Sequence, residues 1–358
     1  MTKPSAGGRA TRLRPITYTI NKHLIPLANK RMLEYAIEKA VEAGITDIGI
    51  NVNPGDAEIP EFVGDGSRWG ARVACIEQAG GPKGLAHILK SARQFIGDEP
   101  FLFYLGDNII LGSLRPFVEK FRKDNLNALL ALSKVRDPQR FGVPELRDGR
   151  IVRVEEKPLE PKSDYAVTGI YVYDRNVWPA VEAAEPSPRG EYEISDVNSR
   201  LIAGGLAVGY SEITGWWKDT GKPEDLLEGN QLLLMEKAQR EDPRIDGSVD
   251  PAAVIQGKVW IGKGSVIGQR TLVRGPVAIG EGCRIENSYV GPYTSIGNRV
   301  EIYSTEVEHS IIFDDADLNC SKRIVDSLIG MNAAVVSAHA TLPSGHKLII
   351  GDNAQVEL

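Results

Sequence analysis

Two adjacent glycines and three closely spaced arginines stand in residues 6–15, which read Ala-Gly-Gly-Arg-Ala-Thr-Arg-Leu-Arg-Pro. Gly7 and Gly8 carry no side chains, so their backbone N–H groups can close around phosphate oxygens. Arg12 and Arg14 bring permanent charges with several donors each, suited to a polyphosphate. Lys22 follows ten residues after Arg12 and can add a point charge. Asp107 comes directly after the apolar run 101–105 and a glycine, and Asp219 lies in Trp216-Trp217-Lys218-Asp219-Thr220-Gly221. A carboxylate at the carboxyl end of an apolar strand is where an α/β sheet places its ligand contacts. The histidines at 23, 87, 309, 339 and 346 have no metal-ligand spacing, and none is given a catalytic role.

Such residues need a rigid frame. The chain has 358 residues, 42% hydrophobic and 25% charged, the balance of an ordinary globular protein and long enough for two domains. A net charge of −6 argues against a nucleic-acid-binding surface and leaves room for a local phosphate pocket. Cys75, Cys283 and Cys320 stand far apart, which excludes a disulfide framework and fits a reducing, cytoplasmic setting. No apolar run reaches membrane-spanning length, and the N-terminus lacks a secretory pattern. Periodicity predicts helices over 30–43 and 84–95. It predicts strands over 45–52, 101–105, 128–133, 151–155 and 167–173. Strands alternating with such helices imply a Rossmann-like, mostly parallel sheet with helices on both faces.

The pattern changes near residue 240, so domains are expected at 1–240 and 241–358. Ile255, Ile261, Ile267, Val273, Ile279 and Ile285 recur at steps of six, and after one step of five to Val290 the steps of six resume at Ile296 and Ile302. Glycine follows at Gly262, Gly268, Gly280, Gly291 and Gly297. A helix needs apolar residues three and four apart, so this period builds instead a triangular coil of short strands, each turning one side chain inward. The repeat resembles that of left-handed parallel β-helices, with less regular coils continuing through Ile312, Leu318, Ile324, Ile329, Val335 and Ile350. Cys283 is then a packing residue.

The opening segment, matched at Gly7, Gly8, Thr11, Arg12, Leu13, Arg14, Pro15 and Lys22, resembles the sugar-1-phosphate nucleotidylyltransferase family. Within it the likeness is greatest to the long-form glucose-1-phosphate thymidylyltransferases, which carry a C-terminal left-handed β-helix. Further matching segments follow in order: Gly84-Leu85-Ala86-His87, Leu105-Gly106-Asp107-Asn108, Phe141-Gly142-Val143, Glu155-Glu156-Lys157-Pro158, Gly169-Ile170-Tyr171, the stretch 189–196, and 216–221. The resemblance implies a nucleotide-diphospho-sugar transferase fold and transfer of a nucleotidyl group from dTTP to α-D-glucose 1-phosphate, giving dTDP-glucose and pyrophosphate. Arg12 and Lys22 would face the triphosphate, and Asp107 and Asp219 would hold Mg2+. Gly7, Gly8, Thr11, Arg12, Gln78 and Gly84 would bind the nucleotide, with Gln78 on the pyrimidine edge. Gly142, Glu156, Lys157, Val167, Tyr171 and Arg189 would take the sugar phosphate. UTP offers the same edge as dTTP, so a uridylyltransferase is the nearest alternative, and a non-catalytic regulatory homologue the next. The flat-sided β-helix suggests a homo-oligomer; it has only His309 as a candidate base for an acyl transfer of its own.

Four features depart from the family pattern. Ala10 replaces a third glycine, Thr2-Lys3-Pro4-Ser5 replaces an apolar strand, Asn21 stands where relatives usually have proline, and five residues separate Gln78 from Gly84. A methyl group at a position built for glycine costs about 1 kcal/mol. Ala10→Gly is therefore expected to lower the Michaelis constant for the nucleotide; an unchanged constant would remove Ala10 from the phosphate contacts.

Overall fold

The computed structural model describes residues 11–213, 215–337 and 353–356. Gly7, Gly8, Ala10, the Pro4-bearing lead-in and Ile350 lie outside them, and of Asp219 only the backbone is described. The chain divides into two compact units. One takes Asn21–His23 and Leu33–Asp219; the other takes 11–20, Leu24–Met32 and the chain from Thr220 onward.

In the first unit α1 (Met32–Glu42) buries Leu33, Ile37 and Ala40 on one face and stops at Gly44, whose φ of 83° suits glycine. β3 (Asp47–Val52) pairs in parallel with β4 (Arg72–Glu77), with α2 (Glu58–Val63) between them in sequence. α3 (Leu85–Ile96) buries Ala86, Leu89 and Ala92. β5 (Phe101–Tyr104) is followed by the short β6 (Asn108–Ile110) and α4 (Arg115–Lys123). β7 (Ala128–Lys134) is apolar on both faces over its first five residues, as a strand covered from two sides must be. β8 (Gly142–Arg147) and β9 (Arg150–Glu156) form a separate antiparallel ribbon.

The central sheet has the order β11-β7-β10-β5, where β10 is Tyr165–Tyr173 and β11 is Val208–Glu212. β11 runs parallel to β7, while β10 runs antiparallel to both β5 and β7. β10 bulges between Val167 and Tyr171, around Gly169 at φ 66°. A Cβ on Gly169 would lie 2.6 Å from Leu105 Cδ1, so the glycine admits the residues leading to Asp107. α5 (Val177–Glu182) and α6 (Ile194–Ala203) pack their apolar residues on the sheet's core. β12 (Trp217–Asp219) pairs antiparallel with β6.

In the second unit Pro26–Leu27 (β1) and Lys30–Arg31 (β2) pair as a tight hairpin. The helix expected from residue 30 thus begins only at Met32. Ala28 and Asn29 both have positive φ, 48° and 62°, which turns the chain back before a helix can start. After α7 (Pro223–Arg240) the predicted period of six becomes three parallel ladders of six, five and five strands. Ile267, Ile285, Ile302, Leu318 and Val335 stack on one. Ile255, Val273, Val290, Val307 and Ile324 stack on the second, and Ile261, Ile279, Ile296, Ile312 and Ile329 on the third. Three hexads therefore make one coil of a β-solenoid. The five-residue step before Val290 is absorbed at a corner without breaking a ladder. Cys283 is buried in this core and its thiol is pushed up by burial, as a packing residue requires. No helix among the described residues is long and apolar enough to cross a membrane.

The stacks give direct stability expectations. Ile285 is 0% exposed and Val266, on the outer side of the same face, 44%. Ile285→Ala should destabilise the protein by about 3 kcal/mol. Val266→Ala should stay within ~0.5 kcal/mol. Denaturant unfolding followed by circular dichroism measures both, and equal losses would contradict the inward-facing assignment.

Candidate functional site

Asp107 lies beyond the carboxyl end of β5, where a hydrogen bond from Leu105 N to Gly169 O (3.0 Å) carries the chain past the β10 bulge. Lys22 sits on the 3-10 turn Lys22–Leu24, and its Nζ meets Asp107 Oδ2 at 2.7 Å. The other carboxylate oxygen accepts from Asn108 Nδ2 at 3.0 Å. Asn108 in turn accepts on Oδ1 from Trp217 Nε1 at 2.7 Å. Burial opposes ionisation of Asp107, but the charges of Lys22 and His23 and the two hydrogen bonds outweigh it, taking its pKa down to about 2. Burial also holds His23 below the usual imidazole value, against the pull of Asp107.

The β6–β12 ribbon pairs Asn108 with Asp219, so the two acidic positions predicted for a metal come to one end of one ribbon. Hard carboxylate oxygens are the donor set a hard divalent cation takes, and the placement fits that use. Among the described residues no cluster of three or more acidic, histidine or cysteine side chains offers another metal site.

Asn21, a departure from the expected pattern, is tied into this region. Its N–H donates to Glu58 Oε2 and its Nδ2 to Asp56 Oδ2, both at 3.1 Å. Its Oδ1 accepts from His23 N at 3.0 Å and lies 3.1 Å from His23 Nδ1. A proline could supply none of these donors, so the substitution comes with its own partners.

A second cluster gathers at the open end of β8–β9. Gly142 and Glu156 are register partners. Glu156 Oε2 accepts from Ser195 Oγ at 2.7 Å, while Oε1 lies 3.7 Å from Lys157 Nζ and 3.6 Å from Arg189 Nη1. Arg189 also meets Glu191 at 2.8 Å and Glu193 at 3.8 Å. A Cβ on Gly142 would come within 2.7 Å of Ser195 Oγ and 3.3 Å of Glu156 Oε2, so glycine keeps this corner open. Tyr171 is buried between Phe103 and Tyr173, and its hydroxyl is raised first by burial and then by the charge of Glu156. Val167 is buried beside Leu132 on β7. Five of the six residues predicted for a sugar phosphate thus share one neighbourhood, and Val167 lies on the strand that carries Tyr171.

Gln78 is 1% exposed. Its Nε2 meets His87 Nδ1 at 2.8 Å and its Oε1 accepts from Asn51 at 3.3 Å, so its amide is already engaged. Gly84 packs so tightly that a Cβ would lie 2.6 Å from the Tyr192 carbonyl oxygen. Thr11 and Arg12 are exposed on the 3-10 turn Thr11–Leu13 of the second unit. An apolar cavity of about 670 Å³ is lined by Ile48, Ile50, Leu89, Phe101 and Phe103, with His23 and Asp107 on its wall. Its apolar lining offers little to a phosphate. Sequence reasoning missed Asn108, Asn21, His23 and Ser195 as parts of the site. Asn108 and Ser195 lay inside matched segments, and their polarity beside an acidic residue was the available signal.

Comparison with known proteins matches residues 6–236 to the nucleotidyl transferase family. Glucose-1-phosphate thymidylyltransferase of Streptomyces antibioticus is 43% identical over 356 residues, 99% of this chain and 98% of the relative. The low-salt glycan biosynthesis nucleotidyltransferase Agl11 of Haloferax volcanii has the same identity and coverage. A Bacillus anthracis chain assigned as a glucose-1-phosphate thymidylyltransferase, crystallised with sucrose, is 39% identical. It aligns with a TM-score of 0.59 over 64% of this chain and 92% of its own.

The Lys22–Asp107 pair predicts a titration. The folded carboxyl lies below its ordinary value, so ionised Asp107 contributes stability that is complete above the ordinary value and is lost as pH falls toward about 2. Lys22→Met removes the main opposing charge and leaves the burial, so the pKa of Asp107 should rise. NMR titration of the carboxyl carbon checks this; no rise would mean that Lys22 does not set the charge of Asp107.

Proposed function

The chain belongs to the nucleotidyl transferase family, and we propose that it transfers the nucleotidyl group of dTTP to α-D-glucose 1-phosphate, giving dTDP-glucose and pyrophosphate. The observation that carries this reading is the match to a glucose-1-phosphate thymidylyltransferase along 99% of the chain, solenoid included. The reaction is an in-line displacement at the α-phosphorus. A sugar-phosphate oxygen attacks, pyrophosphate leaves, and negative charge gathers on the oxygens between. Such a step needs placed cations more than it needs a base.

Lys22 supplies one of these cations from a turn whose ammonium is already oriented by Asp107. Arg12, with Gly7, Gly8 and Thr11, would take the triphosphate. Asp107 and Asp219 would hold Mg2+, which when bound neutralises phosphate charge and raises the electrophilicity of phosphorus. Lys157 and Arg189 grip the sugar phosphate, Glu156 and the backbone at Gly142 accept from or donate to sugar hydroxyls, and Tyr171 and Val167 wall the pocket. Gly84 and Gln78 stand on the base side, where Gln78 would exchange His87 for the pyrimidine edge. Functionally, residues 1–240 form the catalytic region and 241–358 the left-handed β-helix, whose flat faces suit a homo-oligomer. Free cysteines and water-soluble substrates fit a cytoplasmic enzyme.

The test is pyrophosphate release across dTTP, UTP, ATP, CTP and GTP against several sugar 1-phosphates. dTTP with glucose 1-phosphate should give the highest kcat/KM, and Asp107→Asn or Arg12→Ala should lower it roughly a hundredfold. A preference for UTP would make the protein a uridylyltransferase. If no pair turns over above a metal-free blank while dTDP-glucose still binds, the protein is a non-catalytic sugar-nucleotide sensor.

A further inference from the structure

Within the second unit, the side chain of Asn230 links the β1–β2 hairpin, α7 and the solenoid. Asn230, on α7, is 0% exposed. Its Oδ1 accepts from Ala28 N at 2.8 Å and from Ser295 Oγ at 2.7 Å, and its Nδ2 donates to Tyr293 O at 2.9 Å. Asn29, next to Ala28 at the hairpin tip, donates its Nδ2 to Ile296 O at 2.7 Å. An asparagine inside a helix is disfavoured, and a buried amide costs free energy unless its polar atoms are met. Three of the four hydrogen bonds this amide can make are satisfied here, by the hairpin and by a solenoid coil.

Both ends of the hairpin lead to groups assigned to the reaction. The turn Lys22–Leu24 runs almost directly into β1. Arg31 Nη1 donates to Leu24 O at 3.0 Å, and Met32 N to Ile25 O at 3.1 Å, closing the open end. Met32 Sδ then accepts from Thr220 Oγ1 at 3.1 Å, and Thr220 is the buried residue directly after Asp219. We infer that Asn230 is a positioning residue for the transfer reaction. By locking the hairpin to the solenoid it holds the chain that leads out of Lys22 and the chain that follows Asp219. That positioning role rests on the roles proposed above for Lys22 and Asp219.

Asn230→Ala removes three hydrogen bonds and touches no substrate. It should be assayed at a temperature where circular dichroism shows both proteins fully folded. There kcat for pyrophosphate release from dTTP and glucose 1-phosphate should fall at least ~10-fold, because misplaced charges act on the transition state. Each KM should stay within about twofold. Asn230→Asp, whose protonated carboxyl offers an acceptor and one donor, should regain activity over Asn230→Ala as the pH is lowered. Hydrogen exchange read by mass spectrometry should quicken across residues 22–32 and 217–222 in Asn230→Ala. A lowered melting temperature with kcat and these exchange rates unchanged would reduce Asn230 to a stability residue and overturn the inference. If the wild-type protein releases no pyrophosphate, the catalytic reading falls instead, and the exchange rates decide whether Asn230 holds these segments.

Discussion

The ion pair between Lys22 and Asp107 imposes the tightest constraint on the first unit. Burying a carboxylate is costly unless it is paired and hydrogen-bonded. Asp107 meets that cost by drawing a lysine from 85 residues away to 2.7 Å and giving its second oxygen to Asn108. Asn108 is held in turn by Trp217, whose ring packs edge-on against Phe141 at 5.5 Å. Displacing any of these neighbours loosens the carboxylate. The β10 bulge, the glycine beneath Leu105 and the β6–β12 ribbon are the backbone features that let the pair form.

The cluster around Glu156 works by a different balance. Arg189 is surrounded by Glu156, Glu191 and Glu193, so its charge is met before any ligand arrives. Ser195 fixes one oxygen of Glu156, and Gly142 leaves the corner open because no side chain could share the space.

Much of the candidate site was readable because its residues lie in short matched segments at strand ends. Asp107 is the plainest case, placed beyond an apolar strand where ligand contacts gather. Gln78 shows the limit of that reasoning. Its residue type suited a pyrimidine edge, yet its amide is closed onto His87 and Asn51, partners that no spacing announced. Asn21 shows the converse. It departs from the family pattern, yet its N–H finds Glu58, 37 residues further along the chain. Substitutions of this kind can be judged only when the opposing side chain is known.

By itself the sequence determined the solenoid and its register. A period of six is a local property, since each coil pairs with the next and the inward residue recurs whatever else the chain does. It also determined the α/β character of the first 240 residues, through the periods of its helices and strands. The antiparallel course of β10, the hairpin turn that delays α1 and the grouping of 11–20 and Leu24–Met32 with the solenoid were decided only in three dimensions. These depend on contacts between residues far apart in the chain, such as Asn230 with Ala28 and Ser295, and local periodicity carries no record of them.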